Sequence, residues 1–288
     1  MKTLDHKEAI VVLIPVHNRL DETIRCLQSL AAQTWTNFRV IVIDDGSTDG
    51  TSRYLANHFS AVTLIQGDGN LWWSGAMNAG IRYCLRDSGF DFILLLNNDN
   101  TLDPASLENL LGTCHTCRKV VAGSIVYLND LPDTVRFFGG TFDWWTGCIT
   151  RSHYGERDAG QFDRVIETGW LGGMGVLVPV DLFREVGLFD EKRFPQYAGD
   201  QDLWLRAKRC GYTLLVDPRS KVWVSGTGDG EKKGLTFARL FDRRFHANLI
   251  TTSRFYFRHG PRPWFPFCLM TFYLYQFVKW IKREAVMK

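Results

Sequence analysis

The sequence predicts an α/β fold built on an open, mostly parallel sheet, and three observations carry that reading. The first hundred residues alternate short, mostly apolar runs with longer amphipathic segments. The runs show no in–out alternation, as expected of strands covered by helices on both faces. A polar cluster follows three of them directly, at the edge where open α/β sheets bind ligands.

The elements follow in order. Ile10-Val11-Val12-Leu13-Ile14 reads as the first strand. Leu20, Ile24, Leu27, Leu30 and Ala31 recur at helical spacing, with Asp21 and Glu22 in the favourable first turn. Phe38 to Ile43 is a second buried strand, a helix spans roughly Gly50 to His58, and Val62 to Ile65 is a third strand. A helix over Asn78 to Leu85 and a strand over Phe92 to Leu96 complete the alternating half. Beyond it, strands are expected at Val120–Val126, Met174–Val178, Leu214–Val216 and Lys221–Val224. Residues 129–165, rich in glycine, aspartate and aromatics, suggest hairpins and loops. Asp181 to Val186 is a helical turn, and a helix from Leu203 stops at Gly211, a C-terminal cap. No repeat or linker divides residues 1–226, which are read as one domain with halves 1–112 and 113–226. Gly226 to Gly230 reads as a flexible stretch leading into a tail over 227–288.

Of the 288 residues 45% are hydrophobic and 23% charged, which excludes wholesale disorder. The net charge of +3 hides an asymmetry: residues from Lys232 onward carry +10 and the preceding ones −7. Seven scattered cysteines include a lone Cys114-x-x-Cys117 pair with no second ligand pair for zinc, so they read as reduced thiols. The N-terminal apolar run meets Asn18-Arg19 instead of a small-residue cleavage site. It is a strand and not a secretion leader, which places the chain in the cytoplasm.

Two strand ends and one helix start carry the chemistry. Asp44-Asp45-Gly46-Ser47 places two carboxylates where they can accept from a nucleobase and ribose; an Asx-type turn that caps the next helix is the plainer alternative. Asn97-Asn98-Asp99-Asn100 offers one carboxylate among amides. That suits a divalent cation completed by substrate phosphates, and the cation would offset charge on a departing diphosphate; a polar loop is the alternative. Asp200 and Asp202 open a helix. One can face a cleft as general base while the other pairs with Arg206 at i+4, or both serve as N-terminal caps. The pair Trp72-Trp73 either stacks on a base or sugar or wedges its loop into the core. Gly169 to Gly175 admits close backbone approach or is an ordinary turn.

Together Pro15-Val16-His17-Asn18-Arg19, Asp44-Asp45-Gly46-Ser47, Asn97-Asn98-Asp99 and the Asp200 segment resemble glycosyltransferase family 2, over roughly residues 8–226. The likeness extends to its rhamnosyltransferase-like and surface-polysaccharide members. It implies a GT-A fold with a nucleotide-binding and an acceptor half, inversion at the anomeric carbon, and Mg²⁺ or Mn²⁺ as cofactor. By that resemblance Asp45 contacts the base, Asp44 helps hold the nucleoside pocket, and Asp99 ligates the metal, with Asn97 standing where the first Asp of the DxD-type motif is usual. Pro15, His17, Asn18, Arg19, Asn70, Trp72, Asn78, Asn97 and Asn98 fall on the donor side. Trp72 occupies a position where the family often has Gly. Trp170, Gly172 and Gly173 fall on the acceptor side. Asp200 aligns with the catalytic base, Asp202 is second choice, and Gly199 replaces the family's Glu. Where many relatives carry a His near residues 222–228, this chain has none; Asp229, Lys232, Lys233 and His246 are the substitutes at hand.

Trp264 to Val278 is fifteen residues without a charge, short of the roughly 20 a spanning helix needs. Arg258 and Arg262 precede it and Lys279, Lys282 and Arg283 follow, with Trp280 among them. This suggests an interfacial helix on anionic lipid through residues 232–288, against the alternatives of packing on the body or on a partner subunit. Nucleic acid is a poor partner for an acidic body. The resulting expectation is an inverting transferase moving a sugar from a UDP- or dTDP-linked donor to a glycan hydroxyl, on a lipid-linked acceptor, peripheral on the inner membrane face. A sugar-1-phosphate nucleotidyltransferase and a catalytically silent sugar-nucleotide-binding subunit are the competing readings.

Overall fold

The computed structural model describes residues 8–86, 89–225, 238–242 and 245–286. The strands are β1 (Ile10–Val16), β2 (Phe38–Asp44), β3 (Val62–Gln66), β4 (Phe92–Leu95), β5 (Asn100–Leu102), β6 (Val120–Leu128), β7 (Leu131–Phe137), β8 (Gly140–Asp143), β9 (Cys148–Arg151), β10 (Ile166–Glu167), β11 (Val176–Pro179) and β12 (Thr213–Val224). The helices are α1 (Leu20–Ala31), α2 (Thr51–His58), α3 (Trp72–Arg86), α4 (Ser106–Cys114), α5 (Val180–Val186), α6 (Gly199–Arg209), α7 (Leu249–His259) and α8 (Phe265–Val286).

Ten strands form one sheet in the path β10-β12-β6-β11-β4-β1-β2-β3, with β5 on β12 and β7 on β6; β8 and β9 make a separate hairpin. The parallel character is concentrated in β4-β1-β2-β3 and in the β6–β12 pair. Elsewhere the acceptor half pairs antiparallel. The chain runs from β1 outward to β2 and β3, then returns to the opposite side of β1 as β4. That reversal opens a crevice at the carboxyl ends of β1 and β4, and it places residues 17–19, 44–46 and 97–100 around it.

The core sits where the uncharged runs put it: Ile10 to Ile14, Val42, Ile43 and Ile93 to Leu96 have essentially no exposed surface. Helix α3 lies close on the sheet because Gly80 has no side chain; an added Cβ would meet Leu13 Cδ2 at 2.9 Å.

Three elements differ from the sequence reading. Helix α3 begins at Trp72, six residues before the expected start, since its first turn is fastened by groups distant in sequence. Helix α6 begins at Gly199 instead of Leu203. The two expected strands near 214 and 221 are one strand, β12, with a register shift between Asp217 and Lys221. The Gly226–Gly230 stretch lies outside the described residues.

The tail docks on the body through a second apolar cluster. Phe255, Tyr256, Cys268 and Phe272 pack with Phe194, flanked by Phe142, Trp144 and Ile149 of the β8–β9 hairpin. None of the seven cysteines forms a disulfide.

Candidate active site

At the end of β1, Asn18 and Arg19 both take left-handed backbone (φ 60° and 66°), uncommon for residues other than glycine. Neighbours hold this geometry. The Asn18 N–H donates to Ser47 Oγ (2.7 Å), and its side-chain oxygen accepts from the Thr48 N–H (2.9 Å), so the loops after β1 and β2 are joined. His17 is exposed, and its Nδ1–H donates to the Asp45 carbonyl at 2.6 Å. The tautomer is fixed by that partner, because a carbonyl only accepts.

Asp44 is fully buried. It accepts from the Ser47 N–H (2.9 Å) and from the Ser52 hydroxyl, so it supports the loop from behind and has no surface for a ligand. Asp45 accepts from the Gly69 N–H (2.8 Å) and the Trp72 N–H (3.0 Å), binding the 67–72 loop to the start of α3. A carboxylate has about four lone-pair sites, so Asp45 retains capacity for a further donor. Trp72, at φ 58°, starts α3 in left-handed backbone, which accounts physically for a glycine preference at this place.

At the end of β4, Asp99 is the carboxylate that reaches solvent, with 17% of its side chain exposed. Burial pushes its pKa up, opposed by Arg19, whose guanidinium lies 3.5 Å away, and more weakly by Arg136 on β7, a contributor the motif reading missed. Asn100 donates to its other oxygen at 3.2 Å. Asn97 lends its side-chain oxygen to the Trp73 indole N–H (2.8 Å).

Among the described residues no group of three His, Cys, Asp or Glu side chains is assembled to hold a metal alone. One partly open carboxylate among amide oxygens nevertheless fits a hard cation that keeps waters and takes substrate phosphates as ligands.

Trp73 joins the two halves. Besides Asn97, its ring meets Phe189 edge-on at 5.2 Å, and its backbone N–H donates to Gln196 Oε1 at 3.3 Å. A Cβ on Gly173 would lie 2.2 Å from Trp73 Cζ2, so this glycine admits an indole where close approach to a sugar was expected. Next along α3, Ser74 donates its hydroxyl to Phe194 O (2.5 Å) and its N–H to Pro195 O (2.8 Å). A Cβ on Gly199 would sit 2.5 Å from Ser74 Oγ. The start of α6, carrying Asp200, is thereby pressed against the start of α3, whose Trp73 touches Asn97 two residues before Asp99. Ala198, at φ 64°, provides the sharp turn into α6.

Asp200 is partly exposed, and the protein packed around it raises its pKa to about 6; the 2.8 Å bond from the Gln201 N–H offsets little of that. Asp202 is its opposite. It has no exposed surface and receives Arg206 Nε (2.9 Å), His259 Nε2–H (2.8 Å) and Arg258 (3.3 Å). Burial alone would raise its pKa, but these partners outweigh burial and hold it low.

Besides Asp44 and Gly173, four expected ligand-facing residues are corrected. Asp202 fastens α7 to α6. Asn78 is buried, exchanging bonds with the Phe189 backbone (2.9 and 3.0 Å) and donating to Glu191 (2.6 Å). Asn98 is turned toward α1, donating to Thr23 Oγ1 at 3.1 Å. Trp170 is buried against Phe137 and donates to Thr150 O (3.1 Å). Asn70 is exposed, and with Trp72 it lines a cavity of about 550 Å³ on the α7 side of α3. His246 lies beside Tyr197, at a ring separation of 6.5 Å, whereas Asp229, Lys232 and Lys233 lie outside the described residues.

The family model described as Glycosyl transferase family 2 matches residues 11–161, which contain the β1, β2 and β4 loops of this crevice. The chain belongs to glycosyltransferase family 2.

It is therefore a glycosyl-transfer enzyme. Similar proteins include the N-acetylglucosaminyl-diphospho-decaprenol L-rhamnosyltransferase of Mycobacterium tuberculosis, 27% identical over 219 residues, covering 69% of this chain and 70% of that one. An uncharacterised glycosyltransferase of Rickettsia felis is 43% identical over 206 residues, covering 69% of this chain and 31% of its own. Two solved structures share the GT-A fold. GalNAc-T7 with UDP, GalNAc and Mn²⁺ has a TM-score of 0.62 at 14% identity, covering 78% of this chain and 45% of that one. The mannosyltransferase PcManGT of Pyrobaculum calidifontis with GDP-Man and Mn²⁺ has a TM-score of 0.60 at 17% identity, covering 93% and 73%.

Proposed function

We propose that this glycosyltransferase moves a sugar from a UDP- or dTDP-linked donor onto a hydroxyl of a lipid-linked glycan, with inversion. One observation carries the reading: Asp200, the carboxyl raised to about 6, stands at the start of α6, which is pressed against the start of α3, whose Trp73 bonds Asn97 of the loop that leads to Asp99. A carboxylate with a pKa near the working pH takes a proton efficiently from an attacking hydroxyl. The acceptor oxygen attacks the anomeric carbon, its proton passes to Asp200, and the bond to the diphosphate breaks with release of the nucleoside diphosphate.

His17, Arg19 and Asp45 hold the donor, with Asp44 and Asn18 bracing their loops. Asp99 is the residue that would hold Mg²⁺ or Mn²⁺, with the donor diphosphate completing its shell. The bound cation supplies neutralisation of charge on the leaving group. A nucleotidyltransferase is disfavoured because the loop after β1 is Pro15-Val16-His17-Asn18-Arg19 and not glycine-rich.

A lipid-linked acceptor is supported by the printed activity of the mycobacterial relative and by the tail. On α8, Phe267, Met270 and Leu274 are each about half exposed and share one face, while Phe257 of α7 and Trp264 are exposed nearby. Arg262 lies over the Phe257 ring at 5.4 Å, whereas the Arg258 guanidinium is turned to Asp190 and Asp202. Apolar residues beside arginines suit the headgroup zone of an anionic membrane. Lys232 and Lys233, and the side chains of Lys279, Trp280, Lys282 and Arg283, lie outside the described residues. Among the described residues no helix is long and apolar enough to cross a membrane. We accordingly propose a catalytic domain over 1–226 and a membrane-facing tail over 227–288, on the cytoplasmic side.

The test is calorimetric titration with UDP-, dTDP- and GDP-sugars in Mn²⁺, followed by NMR of the product's anomeric configuration. One donor class should bind selectively and yield an inverted glycoside. Retention of configuration, or nucleotidyl transfer, would refute the proposal.

A further inference from the structure

The cavity of about 550 Å³ between α3, the 191–195 loop and α7 adjoins the crevice just described and shares Trp72 with it. Its walls include Trp72, Arg82, Lys192, Arg193, Asn248 and Arg254, so four cationic side chains face it, with Glu191 the one carboxylate in the lining. Two of the cations are fixed in orientation: Arg82 by Glu191 at 3.0 Å and Arg193 by Asp190 at 2.9 Å. Among the described residues Lys192 and Arg254 pair with no acid.

Asn248 provides the second, independent observation. It is 2% exposed, and its side-chain oxygen caps α7 by accepting the Thr251 N–H at 3.0 Å. Its amide nitrogen has no hydrogen-bond partner among the described residues. A buried donor left unmatched is costly, and Asn248 is a lining residue of this cationic cavity, at the positive end of an eleven-residue helix. A sugar hydroxyl would match the amide but not the charge. A group with several acceptor oxygens and two negative charges matches both.

We propose that this cavity binds the diphosphate of the lipid-linked acceptor, which rests on the proposed transfer to such an acceptor. Location supports it on both sides. Trp72 and Pro195 are shared with the crevice region, Pro195 being five residues before Asp200. In the other direction α7 leads into α8 with its exposed apolar face, where the lipid would lie. An anionic phospholipid headgroup presents related phosphate chemistry, and the test separates the two sources.

Asn248→Asp keeps the cap acceptor and the side-chain shape but replaces the donor with negative charge. Arg254→Glu reverses an exposed charge with little burden on folding. Transfer is measured to the same glycan carried on an alkyl diphosphate and on a neutral alkyl chain, and farnesyl diphosphate binding is measured by calorimetry in EDTA without donor. Each variant should raise the ratio of KM for the diphosphate-linked over the neutral acceptor by about tenfold or more, and weaken farnesyl diphosphate to match. An unchanged ratio with wild-type farnesyl diphosphate affinity overturns the inference. If the variants lose only binding to phosphatidylglycerol vesicles, the ligand is a headgroup and the acceptor assignment fails. If the wild type binds farnesyl diphosphate but transfers to neither acceptor, the cavity stands and the proposed activity falls.

Discussion

Replacing Asp200 with Asn should abolish transfer while making the protein more stable at neutral pH. The carboxyl has a pKa of about 6 in the fold against 3.8 for the free side chain, so the folded state favours its protonated form. Between those values the native protein holds a proton that the unfolded chain has released, so stability falls as pH rises through this window. The penalty is absent below about pH 3.8 and complete above about pH 6. A difference of about two units at 1.36 kcal/mol each gives roughly 3 kcal/mol as an upper figure. Asparagine keeps the acceptor for the Gln201 N–H and never ionises, so Asp200→Asn recovers much of this at pH 8 and little at pH 4. Loss of a general base costs about 10²- to 10⁴-fold in rate. The assay is thermal or urea unfolding of both proteins from pH 4 to pH 8, beside transfer rates; wild-type kcat/KM should rise with pH around 6. Equal stability differences at both pH values, or transfer within a few-fold of wild type, would refute the assignment.

Other outcomes follow from the same geometry. Asp202→Ala strands Arg206 and Arg258 beside a buried gap and should cost about 3–5 kcal/mol, read by urea unfolding; a loss of activity without destabilisation would return Asp202 to the chemistry. Because its pKa is held low, the stability Asp202 contributes is present above the free-acid value and lost as pH falls through the folded one. Gly173→Ala drives a methyl into the Trp73 ring and should destabilise by about 1–3 kcal/mol while weakening transfer; a neutral result would show that the indole is free to move. Replacing Phe267, Met270 and Leu274 together by Ser should abolish sedimentation with phosphatidylglycerol vesicles at little cost in melting temperature, because these side chains are already exposed. Unchanged sedimentation would remove the membrane reading.

The fold was legible where burial alone decides structure. The runs at 10–14, 38–43 and 92–96 are apolar apart from Arg39 and show no alternation, and all three are central strands. The start of α3 was not legible, because the fastenings of Trp72, Trp73 and Ser74 are Asp45, Gln196 and Phe194, up to 123 residues away. The site divides in the same way. The i+4 pairing of Asp202 with Arg206 is a local regularity and was readable. The contact that settles which aspartate is enclosed comes from His259, 57 residues on. Asn78, Asn98 and Trp170 sit in motif-like segments, yet a polar or indole group that satisfies backbone looks the same in sequence as one awaiting a sugar. Asn248 gave no signal at all, since an N-cap in a basic tail is unremarkable until its amide nitrogen is found without a partner among the described residues.

The proposed cation site has a single open carboxylate, Asp99, and needs the substrate's phosphates to complete it. Electron paramagnetic resonance of Mn²⁺ bound to the wild type and to Asp99→Ala, with and without nucleoside diphosphate, tests this directly. Binding should be weak without nucleotide, tight with it, and lost in Asp99→Ala. Tight Mn²⁺ binding by the free protein, or full nucleotide-dependent binding in Asp99→Ala, would contradict it.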